Sequence, residues 1–142
     1  MYETILLATD GSEHAEAVAD HAIDIASTRG ASVHVLSVVD DRAFLVLDDD
    51  RVEAVREDLR ESALEAVETA AHAATAAGVE TTTAVETGNP AETIVDYVAE
   101  HGVDLVVMGT SGDDYERNVV GSVSRRVVEA APVPVLTVGL DA

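Results

Sequence analysis

The chain has no cysteine, no tryptophan and no lysine, and only one phenylalanine and three prolines in 142 residues. Without cysteine there are no disulfides, thiolate zinc sites or cysteine nucleophiles, and the redox compartment cannot be read from the sequence. Without lysine there is no Walker A loop, which uses one against the phosphates. No apolar run approaches the ~20 residues of a membrane span. Met1-Tyr2-Glu3 opens a strand pattern rather than a basic secretory leader. The expectation is a cytoplasmic protein with no membrane partner.

Basic charge is equally scarce: 28 Asp and Glu stand against 8 Arg, for a net charge of -20. A solvated, soluble surface accounts for part of this. Adaptation to a cytoplasm of very high salt accounts for more, because at 1 M the Debye length falls to ~3 Å and self-repulsion is screened. The missing lysine and a core of Ala and Val favour that halophilic reading. Nucleic acid is excluded as a partner, since a polyanion would meet a field of its own sign with few cations to release counterions. At this length a single domain, residues 1–142, buries roughly two thirds of its unfolded surface.

Periodicity alternates strand and helix from end to end. Thr4 to Thr9 reads as a buried strand, and Asp10-Gly11-Ser12 turns into a helix carrying Ala15, Val18, Ala19, Ala22, Ile25 and Ala26, ended by Gly30. Ser12 is its expected N-cap. Ser32 to Val39 is a second strand. A long helix from about Arg51 to Ala77 buries Val52, Val55, Leu59, Ala63, Ala66, Val67 and Ala70 before Gly78. Val79 to Val85 is a third strand. Asn89 as N-cap and Pro90 as first residue open a helix with Ile94, Val95 and Val98, ended by Gly102. Leu105 to Met108 is the fourth strand, Ser122 to Ala131 a helix with Val123, Val127 and Val128 inward, and Val133 to Val138 the fifth strand. Five strands separated by helices give a doubly wound parallel α/β sheet with helices on both faces. Periodicity alone does not separate the order 3-2-1-4-5 from 2-1-3-4-5.

Chemistry concentrates in the segment Gly109-Thr110-Ser111-Gly112, eight residues, then Gly121-Ser122 at a helix start. Glycines let backbone N–H groups approach an anion, and the following helix adds unpaired N–H groups and the positive end of its dipole. The same glycines also serve as turn and helix-packing residues in a loop that binds nothing. Asp10, just after strand 1, is either a turn residue or a ligand for ribose hydroxyls. No G-x-G-x-x-G and no serine-rich pyrophosphatase loop follows strand 1, which argues against dinucleotide-binding and adenylating enzymes. His14, His21, His34, His72 and His101 are scattered without ligand spacing and read as surface or boundary residues. Asp40-Asp41 and Asp48-Asp49-Asp50 bracket the apolar Ala43 to Leu47; a solvated acidic loop outweighs a cation site there, because calcium-loop spacing is absent. The apolar five can cover the sheet edge, contact a partner or lid the crevice.

The order of elements, Asp10 after strand 1, Gly88-Asn89-Pro90 before the third helix and the Gly109 to Ser122 segment together resemble a universal stress protein domain over the whole chain. The resemblance implies the strand order 3-2-1-4-5 and a homodimer joined through the last strand. It also implies ATP binding by Asp10, Val38, Gly109, Gly112, Gly121 and Ser122, with Mg²⁺ bridging the phosphates. Val38 would meet adenine through its backbone and Asp10 the ribose. The family's ATP-binding pattern is G-x-x-G-x(9)-G-[ST]; here Asp113 to Val120 is eight residues, one short, and carries Asp113, Asp114 and Glu116 where a triphosphate would pass. Backbone amides, Arg117, Mg²⁺ or salt would have to offset that repulsion. The function expected is nucleotide-dependent regulation in a stress response. Slow ATP hydrolysis lacks an assignable general base, and a nucleotide-free dimeric adaptor is the remaining alternative.

Overall fold

Short segments rich in Ile, Leu and Val, separated by helical stretches, favour parallel strands covered on both faces; the first and fourth strands are buried along most of their length, whereas the third exposes part of its length. The computed structural model describes residues 1–44, 49–110 and 121–139. In chain order the elements are β1 (Thr4–Ala8), α1 (Ala15–Arg29), β2 (Ser32–Asp40), a short 3-10 turn (Asp41–Phe44), α2 (Asp49–Ala76), β3 (Thr81–Gly88), α3 (Pro90–His101), β4 (Leu105–Gly109), α4 (Ser122–Ala130) and β5 (Val135–Val138). The strands form one sheet in the order β3-β2-β1-β4-β5, all neighbours parallel. The order left open by periodicity is therefore 3-2-1-4-5.

Alternate residues of each strand feed two cores. On one face Ile5, Leu7, Val33, Val35 and Val107 pack against Val18, Ala22 and Ala26 of α1 and Val67 and Ala74 of α2. On the other, Leu6, Leu36, Val106 and Met108 pack against Ile94, Tyr97 and Val98 of α3 and Val127 of α4. The alanines of α1 and α2 let these helices lie close to the sheet.

Several boundaries differ from the sequence reading for local reasons. β3 starts at Thr81, not Val79: Gly78 adopts a left-handed conformation, and the Val79 N–H is used to close α2 on the Ala74 carbonyl. β5 starts at Val135, because Pro132 and Pro134 flank Val133 and Pro134 has no N–H for the ladder. Helix α1 is capped by His14 rather than Ser12; the Ser12 carbonyl accepts from the Ala15 N–H and its side chain caps nothing. Val52, Val55 and Leu59 are only half-buried. At 1.5 Å per residue α2 runs about 42 Å, whereas a strand of β2's length runs about 30 Å, so the first turns of α2 overhang the sheet. Val128 is 51% exposed, and Ser124, at 2%, takes the inward place beside Val123 and Val127.

Two of the histidines scattered in sequence meet in space. His34 Nδ1 on β2 lies 2.7 Å from the Tyr97 hydroxyl on α3. The His101 ring stacks on Tyr97 with centroids 3.8 Å apart, and His34 meets both rings edge-on at 5.6 Å. Residues 34, 97 and 101 come together because a strand position and one turn of a helix share a face, a relation that linear spacing does not display. Burial, reinforced by His101, lowers the His34 pKa below its ordinary 6.5. Among the described residues no helix is long and apolar enough to cross a membrane, and no group of three or more potential ligands could hold a metal ion.

Candidate functional site

With the order β3-β2-β1-β4-β5, chain connections leave β1 and β4 in opposite directions, and the loops after these two strands part to open a crevice at their carboxyl ends. A cleft of about 510 Å³ lies there. Asp10, Val38, Gly109, Gly121 and Ser122 all line it. Five of the six residues singled out from the sequence are thus brought together from four separate segments. Gly112 and the acidic Asp113, Asp114 and Glu116 lie outside the described residues, as does Arg117; the side chains of Ala43 to Leu47 do too.

The loop after β1 is a tight turn built by its own side chains. Asp10 Oδ1 accepts from the Ser12 N–H at 2.9 Å, and Gly11 sits at φ 73°, where a side chain would be strained. A Cβ at Gly11 would also come within 3.2 Å of Ala66 Cβ. One carboxylate oxygen of Asp10 is therefore committed to the turn, while the exposed carboxylate keeps acceptor capacity toward the cleft. Turn residue and cleft acceptor are compatible roles for it.

Across the crevice, the two ends of the glycine segment are fastened to each other. The Thr110 N–H donates to the Val138 carbonyl at 3.1 Å, and the Thr110 carbonyl accepts from both the Gly121 N–H and Ser124 Oγ, the latter at 2.6 Å. Helix α4 thus starts at the cleft, with Gly121 as its N-cap and no side chain capping its first amides among the described residues. Neither glycine that bounds this segment is required by its backbone conformation. Gly121 has φ -71° and ψ 170°, an extended conformation open to any residue, and Gly109 is not among the positive-φ glycines. A Cβ at Gly109 would make ordinary contacts, 3.4 Å to Val18 Cγ2 and 4.0 Å to the Val138 carbonyl. What their missing side chains leave open is the approach to backbone N–H groups.

The third wall comes from β2 and α3. Val38, Pro90 and Ile94 are apolar there, Pro90 being placed by the Asn89 cap, whose Oδ1 accepts from the Glu92 N–H at 3.1 Å. Beyond Val38 stand two further cleft residues: Asp40, which the sequence reading took as part of a solvated acidic loop, and Arg42, which it did not name. The Asp40 carboxylate accepts from Arg42 Nε on both oxygens, at 2.9 and 3.1 Å, and from Arg42 Nη2 and the Arg42 backbone N–H. These bonds hold the Asp40 pKa below the usual carboxylate range and push that of Arg42 up. The only visible sequence signal was one arginine inside an acidic stretch. Ser124 carried even less signal, because a serine on a helix reads as surface.

Known proteins resemble this chain in sequence and fold. A universal stress protein of Methanocaldococcus jannaschii is 38% identical over 140 residues, spanning 97% of this chain and 82% of that one. The solved structure of the universal stress protein UspA from Lactobacillus plantarum is similar with a TM-score of 0.81 and 30% identity, covering 96% of this chain and 97% of that one. The universal stress protein from Archaeoglobus fulgidus, solved in complex with dAMP, has a TM-score of 0.63 and 27% identity, over 96% of this chain and 97% of that one. The match to the universal stress protein family itself runs from residue 1 to residue 139, and this chain belongs to that family.

Proposed function

We propose that this protein binds an adenine nucleotide, ATP with Mg²⁺, in the cleft at the β1/β4 crevice and acts as a regulator in the stress response. The observation that carries the reading is the pair Gly109 and Gly121: both border the cleft and neither is demanded by backbone conformation. Glycine there is explained by close approach of a ligand to the backbone at the start of α4, where unpaired amides and the helix dipole favour phosphate. The dAMP held by the A. fulgidus relative supports adenine nucleotide as the ligand class.

Strand order gives the ligand a direction. The ends of β2, β1 and β4 stand in a row, so a nucleotide laid across them has its base over Val38 of β2, its ribose over Asp10 after β1, and its phosphates at Gly109, Gly121 and Ser122; Gly112 is the remaining phosphate contact that the family resemblance implies. Mg²⁺ offsets the acidic Asp113, Asp114 and Glu116. Binding acts on the loop, and the protein signals through the change this makes there. The protein is a cytoplasmic homodimer of high-salt cells, one domain over residues 1–142. Its dimer contact is β5, which among the described residues pairs only with β4 and carries the half-buried Val135 and Leu136.

A nucleotide-free dimeric adaptor is the second reading, favoured by the segment that is one residue short and rich in carboxylates. Native mass spectrometry from volatile high salt, with calorimetry against ATP and Mg²⁺, tests the choice. Retained adenine nucleotide or a saturable binding heat is expected. Neither retained ligand nor heat with ATP, ADP or AMP would leave the adaptor, and release of ADP on incubation would make the protein a slow ATPase instead.

A further inference from the structure

The base end of the cleft poses a selectivity problem. Along β2 and α3 the lining side chains Leu36, Val38, Pro90 and Ile94 are apolar and offer a base no hydrogen bond. Asp40 and Arg42 are the polar side chains at that end, and they are bonded to each other. Both oxygens of the Asp40 carboxylate already accept from Arg42, so the pair faces the cleft chiefly as a donor: Arg42 keeps its Nη1 hydrogens and the second hydrogen on Nη2. Asp41 adds a further favourable charge beside Arg42.

We propose that Arg42, oriented by Asp40, covers the base of the bound nucleotide and selects purines over pyrimidines. The inference rests on the nucleotide reading above and adds to it a residue and a specificity.

Three observations carry it. First, the bidentate contact fixes the guanidinium plane through Nε and Nη2, and a planar cation held by a carboxylate is suited to stack on an aromatic face. Second, the pair is not there for stability: the side chains of Arg42 and Asp40 are 58% and 35% exposed, and ion pairs so placed contribute little to folding. Third, Arg42 stands past the end of β2, two strands from the α4 N-terminus at β4. Adjacent strands are about 4.8 Å apart, so Arg42 is roughly 10 Å from the phosphate end and belongs to the base. A larger purine face gains more from stacking under the guanidinium than a pyrimidine face does.

The test is the ratio of ATP to CTP affinity, with Mg²⁺ in high salt, for the wild type, Arg42→Ala, Arg42→Lys and Asp40→Asn, each checked for an unchanged melting curve. The wild type should favour ATP by about tenfold. In Arg42→Ala the ratio should collapse toward one, Arg42→Lys should not restore it because the plane is lost, and Asp40→Asn should reduce it in part. A wild type that binds both equally, or an Arg42→Ala protein that weakens both nucleotides by the same factor, would overturn the inference while leaving nucleotide binding intact. If the wild type binds neither, the nucleotide reading fails and the inference falls with it.

Discussion

Ser124 Oγ donates a hydrogen bond of 2.6 Å to the carbonyl of Thr110, fourteen positions back in the chain. With the Gly121 N–H on the same carbonyl, this closes the neck from which the glycine segment leaves and to which it returns. Ser124 is buried, so its hydroxyl has no competing water, and the segment's two ends are held independently of what the segment itself does.

Ser124→Ala should therefore destabilise the protein by about 1 kcal/mol, the worth of one buried hydrogen bond, and lower the melting temperature by roughly 3 °C for a domain of this size. Ser122→Ala, at an exposed position two residues earlier, should leave the melting temperature unchanged. Differential scanning calorimetry on both variants decides it; equal behaviour of the two would mean that the neck does not depend on this bond.

The ring cluster sets a pH dependence. The His34 pKa is lowered in the folded state below its ordinary 6.5, so the unfolded chain binds more protons here at mildly acidic pH. Its contribution to stability is complete above pH 6.5 and is lost as pH falls below that value toward the folded pKa. Denaturant unfolding of the wild type and His34→Gln at pH 8 and pH 5 should show the larger acid loss in the wild type. An identical loss in both proteins would place the acid sensitivity elsewhere.

A net charge of -20 with no lysine predicts that folding requires salt. Lowering salt from molar concentration to ~0.1 M lengthens the Debye length from ~3 Å to ~10 Å and exposes carboxylates to one another. Circular dichroism along a salt titration should show unfolding or a steep fall in melting temperature. A flat profile would reduce the acidity to a matter of solubility.

The place of β5 at the end of the sheet predicts the assembly. Leu136→Asp puts a charge on a half-buried edge position and should give monomers, whereas Glu129→Gln on the exposed face of α4 should not. Light scattering in high salt reads both, and a wild type that is already monomeric at micromolar concentration ends the dimer reading.

Element types, and most of their order along the chain, were legible in the sequence because they rest on local physics: apolar runs of strand length, 3.6-residue spacing, the Asn89-Pro90 start and the Gly30, Gly78 and Gly102 stops. Boundaries slipped where a backbone N–H had a competing use, as at Val79, or was missing, as at Pro134. Family resemblance, not periodicity, pointed to the strand order, since pairing between β1 and β4 joins residues about a hundred positions apart and leaves no local trace. Asp10, Gly109, Gly121 and Ser122 stood out by type and position in the chain, and Val38 by resemblance; that they line one cleft is a consequence of the β1/β4 switch point.

Composition excluded cysteine and lysine chemistry and set the extreme negative charge, and the order of residues set the alternating α/β pattern, because none of these needs contacts between distant parts of the chain. That Ser124 turns inward in place of Val128, that Arg42 joins the cleft through Asp40, and that His34, Tyr97 and His101 share one cluster emerges with the fold alone. Each of these depends on which faces meet across the sheet, and a strand and a helix distant in sequence acquire a common face only when the chain has folded.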